Sequence, residues 1–543
     1  MSRSRRRFLI PALAAAPAVV FLLVFFLWPV IAILVRGFSQ SNVGESFANV
    51  FTDPVLRRVM QFTLIESVLS TVACVVLGLA GAATFANFSF RGKSFLRAAI
   101  VIPFVMPTVV MGVAMLALIG RDGLSPVQFS GTLAAIVLAH VFFNYAIVTQ
   151  TVSAAWSSLD RSLIDSAKTL GASGFQLARS VYFPLLRPAI LAAASLVFLF
   201  SFTSFGIVLI LGSINQRTIE VEIYEQTAKF LRLETAATLV IVQLVVIAAV
   251  FVVSGYFNRR IEQRTTNVSV ARPVKTKGER VFVVLNIAIM SVVIFSPLLV
   301  VIGKSFSTPT GWGWQWYVDI FSQRKGSTAF VSPTDAMINS FLYGLVTVLL
   351  AVVVGALAAS TLARARHGFW QGLADVVVSL PLGTSAVTVG FGYILVFSTS
   401  GFDLRQSFWI VPIAHSVIAM PLVVRIVLPS MKRRDMAIDD AAKVLGATWW
   451  QKLRHVDLPL LRQPLTVAAA FAFAVSLGEF GATAFLARPD RPTLPIAIYR
   501  TLGRPGESTF GQAMALSVIL MVFLAVAVAV IARNAKSSDS SFL

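Results

Sequence analysis

Residues 165–184 read DSAKTLGASGFQLARSVYFP, and residues 440–459 read DAAKVLGATWWQKLRHVDLP. Both segments share one pattern: an acidic residue, a small residue, Ala, three residues, Gly, and then Pro after twelve more. The glycine is expected to end a short helix, because it tolerates a positive φ. A second short helix follows, and the proline is expected to break the chain before the next span. The acidic residue would lie near the positive N-terminal end of the first helix. The residues that define these two predicted helix–turn–helix knobs are Asp165, Ala167, Gly171 and Pro184, and Asp440, Ala442, Gly446 and Pro459.

The two segments belong to a longer internal repeat. With an offset of 275 residues, 140–224 aligns with 415–499 without a gap, and the matched positions include His, Asp, Gly and Pro. Chance matches between apolar segments mostly involve aliphatic residues. Matches at His, Asp, Gly and Pro arise by chance less often, so the alignment predicts a duplication. An even number of spans in each copy would make both copies face the same way. We then expect a pseudo-two-fold axis along the membrane normal, with a pathway between the copies.

The composition predicts a membrane protein. The chain has 543 residues, of which 57% are hydrophobic and 13% charged, with a mean hydropathy of +0.82. Apolar runs near twenty residues predict about twelve transmembrane helices, because an open sheet would leave backbone groups unpaired in lipid. The predicted fold is therefore an all-α polytopic membrane protein made of two homologous six-helix halves. The predicted spans are 9–35, 62–86, 96–119, 132–155, 189–212, 236–257, 281–303, 338–363, 373–397, 408–430, 465–487 and 511–532.

Charge gives the orientation. With Arg3, Arg5, Arg6 and Arg7 placed in the cytoplasm, about two thirds of the 45 Lys and Arg residues fall in inside segments, as the positive-inside rule requires. Both termini and both knobs are then cytoplasmic, in the cytoplasmic membrane of a prokaryote. The net charge of +21 is spread between apolar runs, so we expect a lipid bilayer and no nucleic acid as partner.

The order of spans and linkers predicts domain boundaries. A polar, basic stretch without an apolar stripe separates the two halves. The predicted segments are 1–61 (cytoplasmic segment, first helix and outer loop), 62–258 (first transmembrane domain), 259–280 (cytoplasmic linker), 281–336 (seventh helix and outer loop), 337–532 (second transmembrane domain) and 533–543 (cytoplasmic tail).

No nucleotide-binding or metal motif is present. The sequence lacks a G-x-x-x-x-G-K-[ST] loop, an H-E-x-x-H motif and a zinc-type cysteine spacing, and Cys74 is its one cysteine. We therefore expect no cofactor, no metal site and no enzymatic activity in this chain.

The paired segments resemble the EAA loop of importer permeases in the ABC transporter superfamily. That family's pattern is E-A-A, three residues, Gly, nine residues, I-x-L-P. This chain keeps both spacings, has Asp in place of Glu in both copies, and has Ser166 where the first copy would carry Ala. The resemblance implies the type I importer permease fold and a loop that docks on a separate cytoplasmic ATPase dimer. It also implies an extracytoplasmic solute-binding protein. Ordinary interfacial helical hairpins are the alternative.

The whole chain is similar to fused permeases for thiamine and for ferric iron. Segments that carry the similarity include residues 139–144, 218–224 and 476–481, together with Gly120-Arg121-Asp122-Gly123. They favour thiamine, with ferric iron or another small solute as the alternative. A secondary active transporter is a third possibility, but it would not need paired coupling loops.

Glu479 is the candidate pathway residue. A carboxylate near the middle of a span is expensive unless it is paired or faces a cavity, and it would help a cationic solute past this point. The alternative is a structural carboxyl, protonated or hydrogen-bonded to a neighbouring helix. Its repeat partner Ser204 also precedes Phe-Gly. The predicted pathway residues are Ser204, Phe205, Gly206, Glu479, Phe480 and Gly481.

Three further polar features carry weaker expectations. His140 and His415 occupy matched positions, where helix–helix hydrogen bonding is favoured over metal ligation. Glu66 lies in a span, with no acidic counterpart near Asn339. An acidic surface is predicted for the outer loop of the first half, either to contact a binding protein or as a solvated face. Its residues are Glu220, Glu222, Glu225 and Glu234.

Overall fold

The computed structural model describes residues 16–39, 43–120, 123–124, 129–262, 271–322, 332–364, 369–398, 404–433, 436–504 and 506–535. The basic N-terminus, the Arg121-Asp122 pair, residues 263–270 of the linker and the serine-rich end of the tail lie outside these ranges. Within them, the chain is helical apart from turns, loops and four two-residue strands, which confirms the all-α prediction.

The described residues form two compact units, and one of them combines two separate stretches of the chain. The first-repeat unit covers residues 40–313 and contains the first knob. The second-repeat unit covers the chain from Trp314 onward and also includes the N-terminal helix α1, Ala16–Phe38.

The first-repeat unit consists of twelve helices and two small sheets. The helices are α2 (Val43–Thr52), α3 (Pro54–Asn87), α4 (Lys93–Ala99), α5 (Ile102–Val105), α6 (Thr108–Ile119), α7 (Leu133–Ser157), α8 (Arg161–Thr169), α9 (Gly174–Phe202), α10 (Gly206–Leu211), α11 (Ile219–Ala228), α12 (Leu233–Glu262) and α13 (Lys277–Phe306). The strands are β1 (Phe88–Ser89), β2 (Arg272–Pro273), β3 (Ser307–Thr308) and β4 (Gly311–Trp312). Strand β1 pairs with β2 in parallel, and β3 pairs with β4 antiparallel.

The second-repeat unit repeats most of this order. Besides α1 it contains α14 (Gln315–Ser322), α15 (Pro333–Arg364), α16 (Phe369–Gly383), α17 (Ala386–Phe397), α18 (Ile410–Lys432), α19 (Met436–Val444), α20 (Trp450–Gly478), α21 (Gly481–Leu486), α22 (Leu494–Leu502) and α23 (Glu507–Ala535).

The first helix of each sequence half packs in the unit formed by the other half. Helix α1 buries Phe21 and Phe26 in one apolar cluster with Val423 of α18. Helix α13 buries Met290 and Ile294 in a cluster with aromatic side chains of α3 and α7. The two packing units are therefore not contiguous in sequence. The predicted domain boundaries stay a prediction.

The transmembrane count agrees with the expected number of spans. Ten of the described helices are long and apolar enough to cross a membrane, and two bent pairs would bring the total to twelve. The pairs differ from the straight spans predicted over 96–119 and 373–397. The chain bends by 104° between Val105 and Thr108, and by 94° between Pro381 and Ala386. In the first pair, Pro107 adopts φ −59 and ψ 137 and precedes Thr108, and a proline there cannot continue the hydrogen-bond ladder.

The described end of the linker is anchored to the first-repeat unit. Strand β2 pairs with β1, which directly follows α3, and the Arg272 guanidinium lies 5.3 Å from the centre of the Phe88 ring. The Glu279 carboxylate accepts a hydrogen bond from Arg272 and raises the pKa of that guanidinium. Glu279 also forms a capping box with Thr276 at the start of α13.

Matched glycines allow close helix packing in both units. A Cβ atom at Gly78 of α3 would lie 2.6 Å from Cβ of Val148, and one at Gly355 of α15 would lie 2.8 Å from Cγ1 of Val423. Both valines are fully buried and are equivalent in the repeat. Small residues at such crossings let helix backbones approach closely within a membrane.

Replacing Gly78 or Gly355 by leucine should destabilise the protein. The new side chain would meet a stiff β-branched neighbour, and overpacking of this kind lowers the free energy of unfolding by about 1–3 kcal/mol. Detergent-induced unfolding of the purified chain measures the loss. Gly255→Leu is the matched control, because nothing lies within 4 Å of that site. Equal stability of Gly78→Leu, Gly355→Leu and the control would contradict this packing.

Candidate functional site

The first knob begins as predicted but is capped by a different acidic residue. Helix α8 starts at Arg161, and the Asp160 side chain accepts a hydrogen bond from the Ser162 N–H. Asp165 lies in the middle of the helix, 3.7 Å from the Lys168 ammonium. The expectation that Asp165 lies at the N-terminal end was wrong. The preceding Asp160 takes that place because a carboxylate there satisfies free N–H groups of the first turn.

Both knobs turn at their predicted glycines. Gly171 has φ +79, and Gly446 has φ +72, which is the left-handed conformation that glycine adopts without strain. Among the residues that the structure describes, nothing lies within 4 Å of a Cβ built at either position. The glycines are therefore required by backbone conformation and not by close packing.

The helix after each turn starts with a reciprocal cap. In the first copy, the Ser173 hydroxyl accepts from the Gln176 N–H, and the Gln176 side chain accepts from the Ser173 N–H. Thr448 and Gln451 form the same pair in the second copy. This capping box satisfies two donors of the first turn.

Neither proline breaks the chain, so that part of the prediction was wrong. A π turn over Ala178–Tyr182 precedes Pro184, and another over Leu453–Asp457 precedes Pro459. Proline lacks the N–H of the normal ladder, and π turns accommodate such local interruptions. Each second knob helix therefore runs on into the following span as α9 or α20.

Large apolar side chains form the exposed surface of both knobs. Leu170 is 87% exposed and Phe175 74%, while Val444 and Leu445 are 87% and 84% exposed. Ala442 is buried, and Ala167 is half-buried, so the exposed surface is formed by the larger side chains. Exposed apolar side chains clustered on one feature mark an interaction surface.

The predicted pathway residues lie at a break in the fifth span of each repeat. Helix α9 ends at Phe202, and α10 begins at Gly206. In the second repeat, α20 ends at Gly478 and α21 begins at Gly481. The structure therefore places Ser204-Phe205-Gly206 and Glu479-Phe480-Gly481 at equivalent interruptions. The straight spans expected over 189–212 and 465–487 are broken.

Glu479 caps the short helix that follows its break. Its Oε1 accepts a hydrogen bond of 2.8 Å from the Ala482 N–H, and the side chain is 8% exposed. The Phe480 ring lies 5.5 Å from the Tyr499 ring, as Phe205 lies 5.4 Å from Tyr224 in the first repeat. This cap agrees with the hydrogen-bonded alternative for Glu479, while its role in a pathway stays a prediction.

A buried histidine ties each break to neighbouring helices. In the first repeat, His140 Nε2 lies 2.8 Å from Ser204 Oγ, and Nδ1 contacts the Glu66 carboxylate. Ser70 adds a 2.8 Å hydrogen bond to that carboxylate. The expected helix–helix hydrogen bonding of His140 is confirmed, and Glu66 is its partner. Among the described residues, no group of three or more His, Cys, Asp or Glu is arranged to hold a metal ion.

The second repeat uses neutral partners for its histidine. His415 Nδ1 lies 2.8 Å from Ser476 Oγ, and Nε2 lies 2.8 Å from Thr483 Oγ1. Thr347 accepts a hydrogen bond from Ser476. Sequence reasoning missed these hydroxyl partners, because Ser and Thr inside a span give no signal until the helices are packed.

The acidic surface predicted for the outer loop is buried instead. Glu220 and Glu222 are at most 1% exposed, and Glu225 is 7% exposed. Arg217 lies 2.7 Å from Glu225 and 3.5 Å from Glu222. The Ile219 N–H at the start of α11 donates a hydrogen bond to the Thr63 hydroxyl, which docks α11 against α3. The carboxylates of α11 therefore point into the protein. The expected solvated face was therefore wrong for these three residues.

Comparison with known proteins identifies the protein family. The family model for the binding-protein-dependent transport system inner membrane component matches residues 74–266 and 351–536. These two matches cover more than half of the chain and confirm the internal repeat. The chain belongs to this family. It is a multi-pass membrane permease of the ABC importer class, so a secondary active transporter is no longer an alternative.

Among relatives, the chain is similar to thiamine transport system permease proteins ThiP. It is 25% identical to that of Haemophilus influenzae, over 87% of this chain and 89% of the relative. Identity to the Brucella abortus protein is 26%, over 94% of each chain. The Escherichia coli K12 protein is 25% identical, over 88% of this chain and 90% of the relative.

Two solved structures of a bacterial ABC transporter that imports alginate also match. One complex with a pentasaccharide-bound periplasmic protein has 18% identity and a TM-score of 0.40, covering 49% of this chain and 97% of that chain. The other has 18% identity and a TM-score of 0.39, covering 48% and 98%.

The two histidines should differ in their contribution to stability. His140→Leu would leave the buried Glu66 carboxylate without its imidazole partner, which lowers the free energy of unfolding by about 3–5 kcal/mol. His415→Leu removes hydrogen bonds between neutral groups, for which about 1–3 kcal/mol is expected. Parallel unfolding curves of the two purified variants give the comparison. A larger loss for His415→Leu would refute this assignment.

Proposed function

We propose that this chain is the permease subunit of an ATP-driven importer for thiamine, with both termini in the cytoplasm. The observation that carries the proposal is the pair of knobs. Each has a left-handed glycine, a capping box and an exposed apolar face, and the two occur at equivalent positions of one chain. The relatives named as thiamine permeases match nearly the full chain, which supports thiamine as the solute.

The knobs would dock on a separate cytoplasmic ATPase dimer, one knob on each subunit. Two equivalent knobs suit a two-fold symmetric partner, because each presents the same motif to an identical surface. The continuous helices α9 and α20 connect each knob directly to a span. A displacement of the knob would therefore move the span as a lever, and not only a flexible loop.

The solute would pass the breaks in the fifth spans. The six residues Ser204, Phe205, Gly206, Glu479, Phe480 and Gly481 would form part of the translocation pathway. Short helices and irregular backbone within a membrane protein are tolerated where they are buried in protein or line a cavity. An extracytoplasmic solute-binding protein would deliver the solute to the outer side. We expect no cofactor in this chain, with ATP hydrolysed by the partner.

Uptake by proteoliposomes tests the proposed solute. The full chain is reconstituted with its ATPase and binding protein, and accumulation of radiolabelled thiamine is followed with and without ATP. We expect ATP-dependent accumulation of thiamine. ATP-dependent uptake of ferric iron, with none of thiamine, would assign the chain to the alternative solute.

The same assay tests the coupling knobs. Gly171→Val combined with Gly446→Val places β-branched residues at positive φ, a conformation that L-residues adopt only at an energetic penalty. We expect uptake to fall at least about tenfold (~1.4 kcal/mol in effective coupling), while the chain remains folded. Gly278→Val is the control, because it lies in open space without a positive φ. Normal uptake by the double variant would rule out the coupling role.

Glu479→Gln tests the pathway separately from the cap. Glutamine keeps the Oε1 acceptor for the Ala482 N–H, so folding should be preserved while the charge is removed. If the carboxylate assists a cationic solute, uptake should fall about tenfold, equivalent to ~1.4 kcal/mol, and its pH dependence should change. Unchanged uptake and an unchanged pH profile would restrict Glu479 to its capping role.

A further inference from the structure

A polar cavity of about 430 Å³ opens in the first-repeat unit beside α11. It lies among the starts of α3 and α12, the short helix α2 and one side of α11. The cavity lies at the start of α3, whereas the first knob follows the end of α7 and leads into α9. Because successive spans run in opposite directions, the cavity and the first knob are at opposite ends of the unit. In the proposed orientation the cavity is extracytoplasmic. Its charged and aromatic lining is Asp53, Arg217, Glu222, Phe230 and Arg232.

Buried acceptor oxygens lie in the wall of this cavity. Glu222 is 1% exposed, and its Oε1 accepts a 2.7 Å hydrogen bond from the Gln226 Nε2. Glu222 Oε2 and Gln226 Oε1 have no hydrogen-bond partner among the residues that the structure describes. Both side chains line the cavity. Buried acceptors are normally satisfied, so these two oxygens point to a donor that enters from outside.

The nearby cation does not fulfil this role. The Arg217 guanidinium makes its 2.7 Å hydrogen bond to Glu225 and approaches Glu222 Oε2 only to 3.5 Å. Lys229 also bonds Glu225, at 2.7 Å. Arg217 and Lys229 therefore both hydrogen-bond Glu225, while Arg217 makes only a longer ion pair with Glu222.

The internal repeat shows that the fold does not require this acidic site. Helices α11 and α22 both follow a threonine, both have their first N–H bound by a hydroxyl of the second span, and both pack a tyrosine on the Phe of the preceding break. Yet Glu220, Glu222 and Glu225 correspond to Pro495, Ala497 and Arg500 at the same offset of 275. Ala497 is 1% exposed, so an alanine fills the buried position of Glu222 without changing the helix. A buried carboxylate is expensive, and its ion-pair partner Arg217 likewise corresponds to Pro492, so this group of charges is specific to the first repeat.

We propose that this cavity receives a basic side chain, Lys or Arg, from the extracytoplasmic binding protein, with Glu222 and Gln226 as its acceptors. The inference rests on the proposed function, because it takes the binding protein as the partner. The ammonium or guanidinium would donate to Glu222 Oε2 and Gln226 Oε1. Its aliphatic stem would lie against the cavity's apolar residues Val50 and Leu56, both buried, with Phe230 at the rim.

Charge complementarity favours a cation carried on a long stem. The unsatisfied groups are both acceptors, and lysine and arginine are the charged side chains that only donate. The cavity is large enough for one such side chain. The exposed Arg232 at the rim would repel a second cation and can bind an acidic residue beside the first. A protein surface supplies both charges at fixed spacing, which a single small cation does not.

Cysteine labelling tests the charge preference of the cavity. Cys74 is fully buried and is the one cysteine of the chain, so a Thr235→Cys variant adds an accessible thiol to the cavity wall. The probes are a trimethylammonium and a sulfonate methanethiosulfonate reagent of similar size. We expect the cationic reagent to react about tenfold faster, relative to a free thiol (~1.4 kcal/mol). The ratio should approach one after Glu222→Ala. A ratio near one before that change, or one insensitive to it, would overturn the proposal.

Protection by the binding protein tests the partner. The purified, solute-loaded binding protein should slow labelling of Thr235→Cys in the assembled transporter, and Glu222→Ala should weaken that protection at least tenfold. Glu507→Ala removes an exposed outer carboxylate of the other repeat and serves as the control. Because Ala497 occupies the matched site, Glu222→Ala should fold, and Glu222→Gln provides a second variant. Undiminished protection in both variants would overturn the proposal.

Two outcomes separate this inference from the proposed function. Thiamine at millimolar concentration, without the binding protein, should give no protection. Protection by thiamine would assign the cavity to the solute and overturn the protein partner. If thiamine uptake depends on ATP but cysteine labelling in the cavity does not respond to Glu222→Ala, the importer function stands and this inference fails. If the chain neither takes up solute nor associates with an ATPase, the proposed function itself is rejected.

Discussion

The structure depends on the need to satisfy every backbone hydrogen bond within the protein, because lipid offers no donors or acceptors. Helices meet this need along their length and fail to meet it at their ends. At the breaks in the fifth spans, side chains supply some of the missing bonds. Glu479 accepts from the N–H of Ala482, and the Thr218 hydroxyl donates to the carbonyl oxygen of Ser204. The sites proposed to act on the solute are the places where the helix is discontinuous.

The two sequence halves depend on each other through their first helices. Helix α1 buries Phe21 and Phe26 among residues of α15 and α18, and α13 buries Met290 and Ile294 against α3 and α7. Neither sequence half contains all the apolar surface of its own core. Matched glycines, Gly78 and Gly355, set the separation of the helix pairs that form the centre of each unit. The duplication is thus preserved in packing geometry even where the sequence has diverged.

Two of the differences between the repeats concern buried charge. The histidine of the first repeat contacts a carboxylate, while that of the second contacts hydroxyl groups. Helix α11 carries three buried carboxylates, and α22 carries none of them. Because the apolar framework is shared, these polar differences are not needed for folding in both copies. They make one repeat chemically distinct from the other.

The sequence by itself determined the helical membrane class, the number of spans, the duplication and the glycine turns of both knobs. These follow from local properties: apolar length, residue spacing and the conformational freedom of glycine at Gly171 and Gly446. Tertiary structure alone decided which unit α1 joins, that Pro184 continues a helix through a π turn, and that Glu222 is buried. Such outcomes depend on which helices meet and on where a donor is available, and a one-dimensional pattern does not contain that information. The exposure of a carboxylate is set by its neighbours in space, so an acidic run that resembles a solvated face can become the wall of a cavity.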